Sequence, residues 1–109
     1  MNRLQESIGE WGEETFKHSK EHLPAIFSHL VKEVNELETE IKSYRMTGSA
    51  HSDRLAAECA DIFILMCSMA HLCGFSLDEA VRCKMAINRS RTWGEPDADG
   101  VIEHVAVNP

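Results

Sequence analysis

The stretch Leu30-Val-Lys-Glu33-Val-Asn-Glu36-Leu37 decides the fold of this chain. Its apolar residues recur at steps of three and four, which is the period of an amphipathic α-helix. Residues three apart share one side of a helix, so Glu33 and Glu36 present two carboxylates in the same direction. We therefore predict a helix that has Pro24 in its first turn and ends near Tyr44, with an acidic pair on the flank of its apolar stripe.

A second acidic pair, Glu58-x-x-Asp61, lies in the next helix-periodic run. This run predicts a helix from about Ser52 to Cys73, with Gly74 as the left-handed residue that ends it. If the two apolar stripes pack antiparallel through the short connection at Gly48, the acidic flanks come together at the edge of the core. The sequence thus predicts one cluster of four carboxylates, whose members are Glu33, Glu36, Glu58 and Asp61.

Four carboxylates that face one another repel, and this repulsion raises their pKa values when no cation is bound. Hard oxygen ligands favour Mg²⁺ or Mn²⁺, and carboxylates combined with substrate phosphates are the usual way of holding Mg²⁺. The alternative for a single E-x-x-E pair is a solvated acidic face. Two pairs in matching phase favour a metal site. Carboxylate-bridged di-iron chemistry calls for E-x-x-H motifs, which this sequence lacks.

Two shorter helices complete an all-α fold. Leu4, Ile8 and Trp11 are spaced for a first helix over residues 2–14, and the capping box Ser76-x-x-Glu79 begins a last helix that runs to about Arg91. We predict a single domain, 1–109, built as a bundle of four to five helices. The wide apolar faces of the two long helices predict that oligomerisation completes this bundle.

Charge and cysteine content exclude several classes of protein. The net charge of -7, from 18 acidic and 11 basic residues, argues against binding to nucleic acid or to an anionic membrane. The cysteines occupy helical core positions without a C-x-x-C pair, which predicts buried thiols at Cys59, Cys67, Cys73 and Cys83. We see no secretory segment and no apolar run as long as a membrane span. We therefore expect a cytoplasmic protein of a bacterium or of a phage-infected cell.

A basic constellation lies on the last predicted helix. Lys84, Asn88 and Arg91 fall at positions i, i+4 and i+7, so two cations and an amide share one face and can contact phosphate oxygens. The alternative is that the cations only stabilise the negative end of the helix. Asn88 is a mediocre helix former placed between them, and this favours the phosphate site slightly.

Together these residues resemble the MazG-like all-α nucleoside triphosphate pyrophosphohydrolases, whose pattern is E-x-x-E followed by E-x-x-D. Further segments are similar to the dATP/dGTP pyrophosphohydrolase branch, which includes the phage MazZ-like enzymes. These segments are Trp11-x-x-Glu14-Thr15-Phe16, His29-Leu30-x-Lys32-Glu33, His71-Leu72-x-Gly74, Lys84-x-x-x-Asn88-Arg89-x-Arg91-x-Trp93 and Gly100-Val101-x-Glu103-His104-Val105. One departure is Lys17, where the resemblance leads us to expect proline.

The resemblance implies metal-dependent hydrolysis of a purine nucleoside triphosphate, dGTP, GTP or dATP, to the monophosphate and pyrophosphate. Two or more Mg²⁺ or Mn²⁺ ions would be held by the four carboxylates, with Glu36 as the preferred proton acceptor. Lys84, Asn88 and Arg91 would bind the phosphates. The alternative function is a non-catalytic, nucleotide-binding regulatory module with the same helical fold.

Recognition of the base and the state of assembly are the remaining expectations. The candidates for contact with a purine are Trp11, Phe16, His29 and Trp93, although an aromatic residue in a small helical protein is more often part of the core. His104 is a candidate lid over the site, or else belongs to a disordered tail. The apolar faces and the resemblance both predict a homo-oligomer, with a tetramer favoured over a dimer. The expected role is nucleotide-pool control or supply of a phage pathway for modified DNA.

Overall fold

The computed structural model of the chain describes residues 3–47 and 52–106. Its helices, in chain order, are α1 (Arg3–Phe16), a short 3-10 helix (Lys20–His22), α2 (Leu23–Thr47), α3 (Ser52–Cys73) and α4 (Leu77–Ser90). The part of the chain that is described contains no strand, only an isolated antiparallel bridge between Trp93 and His104. The predicted all-α class is confirmed.

Helix ends follow the local signals in the sequence closely. The predicted bounds of α3 agree with the structure at both ends, and Gly74 has the expected left-handed φ of 80°. The amide of Phe75 then donates to the carbonyl of Ala70 at 3.1 Å, which satisfies one of the last helical carbonyls. Helix α2 continues past Tyr44 to Thr47, and the predicted break at Gly48 lies outside the described residues.

Lys17 ends α1 in a way that proline cannot. Its φ of 57° is left-handed, whereas the ring of proline fixes φ near about -65°. The Lys17 ammonium donates to the carbonyl of Glu14 at 3.0 Å and so satisfies one terminal carbonyl of the helix. Lysine in place of the expected proline therefore allows the left-handed turn that follows α1.

The chain divides into two compact units, Met1–Asp78 and Glu79–Pro109, which we describe separately. In the first unit α3 packs against both α2 and α1. The most deeply buried apolar side chains of this unit are those of Ile26, Cys67 and Ala70. The single domain predicted from sequence stays a prediction.

The buried face of α1 differs from the predicted one. Leu4 and Trp11 are 55% and 50% exposed, and the residues that are buried instead are Gln5, Gly9 and Gly12. Gln5 accepts from the amide of Leu77 at 2.8 Å and donates to the carbonyl of Phe75 at 2.7 Å, which ties α1 to the turn after α3. The two glycines lack a Cβ, so α1 can approach its neighbours closely. Of the three apolar residues that predicted α1, only Ile8 is half-buried, so the apolar period marks the packed face of this helix incompletely.

Two further expectations are corrected by the structure. Cys67 is buried as predicted, but Cys59, Cys73 and Cys83 are exposed. The expectation that no apolar run has the length of a membrane span is also wrong, because Asp53–Cys73 is long and apolar enough by length and composition, with a mean hydropathy of 1.6. Of that stretch 17% is buried, and α3 packs against α1 and α2.

We expect Gly9→Ala to destabilise the fold by about 1–3 kcal/mol, which is typical of overpacking. A Cβ at Gly9 would clash with the His71 ring, so the ring must shift, and this shift disturbs its 2.7 Å contact with Glu13. Chemical denaturation measures the loss. The control is Gly9→Ala combined with His71→Ala, in which the added methyl no longer meets the ring and should cost much less. Equal costs of Gly9→Ala in the two backgrounds would contradict this account.

Candidate metal centre and adjoining pocket

Helices α2 and α3 bring three carboxylates to one point. Glu33 and Glu36 lie one turn apart on α2, and Glu58 faces them from α3. Ligand oxygens from the three side chains all lie within 4.8 Å of one another. Glu33 and Glu58 are half-buried, while Glu36 is exposed. The predicted meeting of the two acidic flanks is therefore present for these three residues.

The carboxylate oxygens of the cluster outnumber the hydrogen-bond donors available to them. One carboxylate oxygen of Glu33 and one of Glu58 are buried without a hydrogen-bond partner. The pKa of Glu58 is raised to about 7, first by the hydrogen bond it shares with Glu33, then by burial and by repulsion from Glu33, Glu36 and Asp61. The pKa of Glu33 is lowered, chiefly by that same hydrogen bond, because its partner carries the shared proton.

These residues fit a hard divalent cation. The two buried oxygens have lone pairs with no donor to satisfy them, and a bound cation can replace the proton that Glu58 otherwise retains. Carboxylate oxygens are the ligands that Mg²⁺ and Mn²⁺ prefer. His29 Nε2 lies 3.1 Å from Glu33 Oε1 and restrains one oxygen of that side chain. The donor set therefore supports a metal centre rather than a solvated acidic face.

Asp61, the fourth predicted carboxylate, lies on the wall of an adjoining pocket. It is exposed, and its charge contributes to the raised pKa of Glu58. Glu33 lines the same pocket. Three of the four carboxylates thus form a group whose ligand oxygens lie within 4.8 Å of one another. Asp61 is not part of this group and lines the pocket.

The pocket itself has a volume of about 420 Å³ and is formed by α1, the 3-10 helix, α2 and α3. Its size lies in the range usual for small-molecule sites, about 300–1,000 Å³. Three of the predicted base-binding residues line it: Trp11, Phe16 and His29. Trp11 and Phe16 pack edge to face, with ring centroids 5.1 Å apart. The pocket therefore has an aromatic end and an acidic end.

Two histidines of the pocket were not among the predicted site residues. His18 and His22 line its aromatic end, and their rings lie 5.7 Å apart. They sit in the turn after α1 and in the 3-10 helix, where no apolar period exists to indicate which way a side chain faces. The available signal was the recurrence of histidine at positions 18, 22 and 29 in one short stretch.

The basic constellation lies in the second unit. Lys84 is exposed on α4 and Asn88 is half-buried, whereas Arg91 follows the last residue of the helix, Ser90. The Arg91 guanidinium donates to the Asn88 side-chain oxygen at 3.5 Å. Two members of the predicted phosphate-binding set are therefore in contact within this unit.

The remaining predicted residues, Trp93 and His104, also meet within the second unit. Their backbones form the isolated bridge, and their rings pack edge to face with centroids 6.1 Å apart. The indole N–H of Trp93 donates to the carbonyl of Asn88 at 3.0 Å. The tail is thus folded back onto the residues that follow α4.

Comparison with known proteins identifies relatives among phages, although no family model matches the chain. A dATP/dGTP diphosphohydrolase of cyanophage S-2L is 44% identical over 48 residues, which are 44% of this chain and 45% of that protein. A protein of the same name from Salmonella phage PMBT28 is 33% identical over 102 residues, 94% of this chain and 30% of the relative. The chain therefore spans less than half the length of these curated relatives.

A solved structure shares the fold. The cyanophage S-2L MazG-like pyrophosphohydrolase, bound to dGDP and three catalytic Mn²⁺ ions per active site, superimposes with a TM-score of 0.72 and 28% identity. The match covers 96% of this chain and 92% of that one. The fold, the sequence matches and the paired acidic motifs agree: the chain is similar in fold to the cyanophage MazG-like pyrophosphohydrolase and similar in sequence to the phage dATP/dGTP diphosphohydrolases.

Proposed function

We propose that this protein hydrolyses a purine deoxynucleoside triphosphate, dGTP or dATP, to the monophosphate and pyrophosphate, with GTP as a further substrate. The observation that carries the proposal is the position of Glu33, which belongs both to the carboxylate cluster and to the wall of the aromatic pocket. A base held at the aromatic end would direct its phosphates towards the acidic end. The names of the phage relatives support the same reaction.

The proposed cofactor is Mg²⁺ or Mn²⁺, with two or more ions held by Glu33, Glu36, Glu58 and Asp61. The three Mn²⁺ ions per active site of the cyanophage neighbour support this assignment. Bound divalent cations supply charge neutralisation for the phosphates and lower the pKa of an attacking water. The carboxylates determine where the cations would bind, since ligand oxygens of Glu33, Glu36 and Glu58 converge within 4.8 Å.

Glu36 is the proposed proton acceptor. It is the exposed member of the group of three, so its carboxylate is open to water, whereas Glu33 and Glu58 share a hydrogen bond with each other. A general base must reach the proton that it removes, and an exposed carboxylate beside the phosphates meets this need.

Lys84, Asn88 and Arg91 are proposed to bind the phosphates, Trp93 to contact the base and His104 to form a lid. Two cations and an amide on neighbouring turns can satisfy several phosphate oxygens, which positions the substrate and stabilises developing charge. The contact between Arg91 and Asn88 supports a joint role, because the amide oxygen orients the guanidinium.

A panel of nucleotides tests the proposed reaction. Purified protein is incubated with each ribo- and deoxyribonucleoside triphosphate in Mn²⁺ or Mg²⁺, and pyrophosphate release is measured. We expect turnover of purine deoxynucleoside triphosphates. Binding without turnover of any nucleotide would refute the enzyme and support the alternative, a non-catalytic regulatory module.

We further propose a homo-oligomer, with a tetramer favoured over a dimer, in the cytoplasm of the infected host cell. Val34 and Ile41 on α2 are 47% and 43% exposed, and Phe63 on α3 is 44% exposed. Such apolar surface on long helices is normally covered in soluble proteins. The proposed partners are the purine nucleotide and further copies of the chain, not nucleic acid or a membrane. The proposed role is nucleotide-pool control or supply of a modified-DNA pathway.

We expect light scattering coupled to size exclusion to give a mass of at least two chains at micromolar concentration. Val34→Glu should shift the mass towards the monomer, because a charge on a covered apolar face costs free energy that the oligomer cannot recover. Lys32→Glu, on the exposed surface of the same helix, is the control and should leave the mass unchanged. A monomeric parent would refute the proposed oligomer.

A further inference from the structure

An ion pair joins the two helices that carry the carboxylate group. Arg54 Nε on α3 lies 3.4 Å from Glu40 Oε2 on α2. Glu40 follows Glu36 by one helical turn, and Arg54 precedes Glu58 by one turn. The Arg54–Glu40 pair therefore forms the next layer of contacts between α2 and α3, one turn from the carboxylates.

The two members of this pair differ in their exposure to solvent. The side chain of Glu40 is 21% exposed and that of Arg54 is 57% exposed. Glu40 Oε2 is buried and accepts no hydrogen bond, so its contact with Arg54 is one between opposite charges. A buried carboxylate oxygen without a donor costs free energy unless a cation lies next to it. The guanidinium of Arg54 supplies that positive charge.

The stability of α3 alone does not account for a cation at this position. Arg54 lies in the first turn of α3, where the positive end of the helix dipole disfavours a positive side chain. The pair Lys42–Glu38 joins two residues of the same helix, whereas Arg54–Glu40 crosses from one helix to the other. The contact across to α2 therefore explains Arg54 better than its own helix does.

Without a bound cation, the carboxylates push α2 and α3 apart. Glu33 and Glu36 on α2 and Glu58 on α3 bring ligand oxygens within 4.8 Å of one another, and like charges at such distances repel. A contact between opposite charges one turn away opposes this separation. We infer that Arg54 and Glu40 are positioning residues, which hold α2 and α3 together so that the metal ligands are in place before a cation binds. The inference rests on the proposed function, because it concerns the metal centre assigned there.

The sign of the change in Mn²⁺ affinity separates positioning from simple electrostatics. Arg54→Glu replaces a positive charge near the carboxylates by a negative one, and charge alone would therefore make a cation bind more tightly. Loss of positioning has the opposite effect: Arg54→Glu is expected to weaken Mn²⁺ binding about tenfold, the lower end of the range for groups that orient metal ligands. Electron paramagnetic resonance of free Mn²⁺, without nucleotide, measures this affinity independently of turnover.

Exchange of the two residues provides the rescue. Glu40→Arg combined with Arg54→Glu restores opposite charges between the helices and keeps the net charge, so it should recover most of the lost affinity. The control is Lys42→Glu, which makes the same change of charge on α2 but breaks only a pair within that helix, and it should not weaken binding. Thermal melts in chelator check that each variant is folded, and the changes should be small because Arg54 is largely exposed.

Two outcomes would overturn the inference and leave the metal centre standing. The first is an Arg54→Glu variant that binds Mn²⁺ as tightly as the parent or more tightly. The second is an exchanged pair that binds no better than Arg54→Glu alone. A parent that binds no Mn²⁺ would overturn both the inference and the metal centre. The nucleotide panel decides the reaction separately: weakened Mn²⁺ binding with rescue, but without pyrophosphate release from any triphosphate, would refute the enzyme and leave the positioning role standing.

Discussion

Glu36→Gln and Asp61→Asn are each expected to lower pyrophosphate release by more than about a hundredfold, since even the groups that orient metal ligands are worth tenfold to a hundredfold. Each substitution removes a negative charge from a cluster where Glu33, Glu36 and Asp61 together raise the pKa of Glu58. The chelated variants should therefore be at least as stable as the parent, because like-charge repulsion is relieved. Pyrophosphate assays in Mn²⁺ and thermal melts in chelator measure the two effects.

The chain offers a matched control on the same helix. Glu38 is 68% exposed and pairs with Lys42 at 3.0 Å on the surface of α2, so Glu38→Gln changes the same charge without touching the cluster. We expect it to keep the activity of the parent. If Glu36→Gln or Asp61→Asn retained activity similar to Glu38→Gln, the metal assignment would be wrong. A chelated variant clearly less stable than the parent would contradict the account of repulsion.

The acidic cluster was predictable because two periodic signals fix it. The apolar stripes of α2 and α3 set which faces pack together, and the acidic pairs keep a constant phase relative to those stripes. Once the helices pair, the two acidic flanks lie at the same edge of the core. What the period leaves open is register, and register decides that Asp61 lies on the pocket wall while Glu36 joins the group of three.

The packing of α1 was not predictable by the same reasoning. Hydrophobic periodicity selects Leu4 and Trp11, but the helix buries Gln5 and two glycines, because close approach and hydrogen bonds to the turn after α3 decide its orientation. Trp11 is thereby left on the pocket wall. The burial of Gln5 depends on its hydrogen bonds to backbone groups of Phe75 and Leu77, and hydrophobic periodicity does not predict such contacts.

The pocket histidines show a second limit. His18 and His22 follow a left-handed turn at Lys17, and the direction of their side chains depends on that turn and on the 3-10 helix, neither of which has an amphipathic pattern. His29 was among the candidates because it belongs to a segment that carries the resemblance, and α2 places its ring 3.1 Å from Glu33. The side chains of α2 and α3 could be placed from the periodic pattern, whereas those of the connection before α2 required the structure.

In chelator we expect the stability of the parent to fall as the pH rises from about 5 to about 8. Glu58 has its pKa raised from 4.5 to about 7 in the folded chain, so between these values the folded state keeps a proton that the unfolded state has lost. The folded state then binds more protons, and raising the pH favours unfolding until Glu58 is ionised in both states. The lowered pKa of Glu33 acts in the opposite direction, but below its ordinary value of 4.5 and so outside this range.

Mn²⁺ is expected to oppose this trend, because the cation binds ionised carboxylates and competes with the shared proton. At a Mn²⁺ concentration about a hundred times the dissociation constant, linkage adds about 2.7 kcal/mol to the free energy of unfolding. That gain should be largest at the alkaline end of the range. Melting temperatures in chelator and in Mn²⁺, taken across the pH range, measure both effects on the same protein.

The variant Glu58→Gln tests whether Glu58, rather than another titrating group, causes the pH dependence of stability. Without a proton to retain, the variant should lose most of the pH dependence in chelator and most of the stabilisation by Mn²⁺, whereas Glu38→Gln should keep both. A parent whose chelated stability rises across this range would contradict the shared proton between Glu58 and Glu33. A Glu58→Gln variant with the slope of the parent would assign the titration to another residue, and undiminished stabilisation by Mn²⁺ would remove Glu58 from the metal centre.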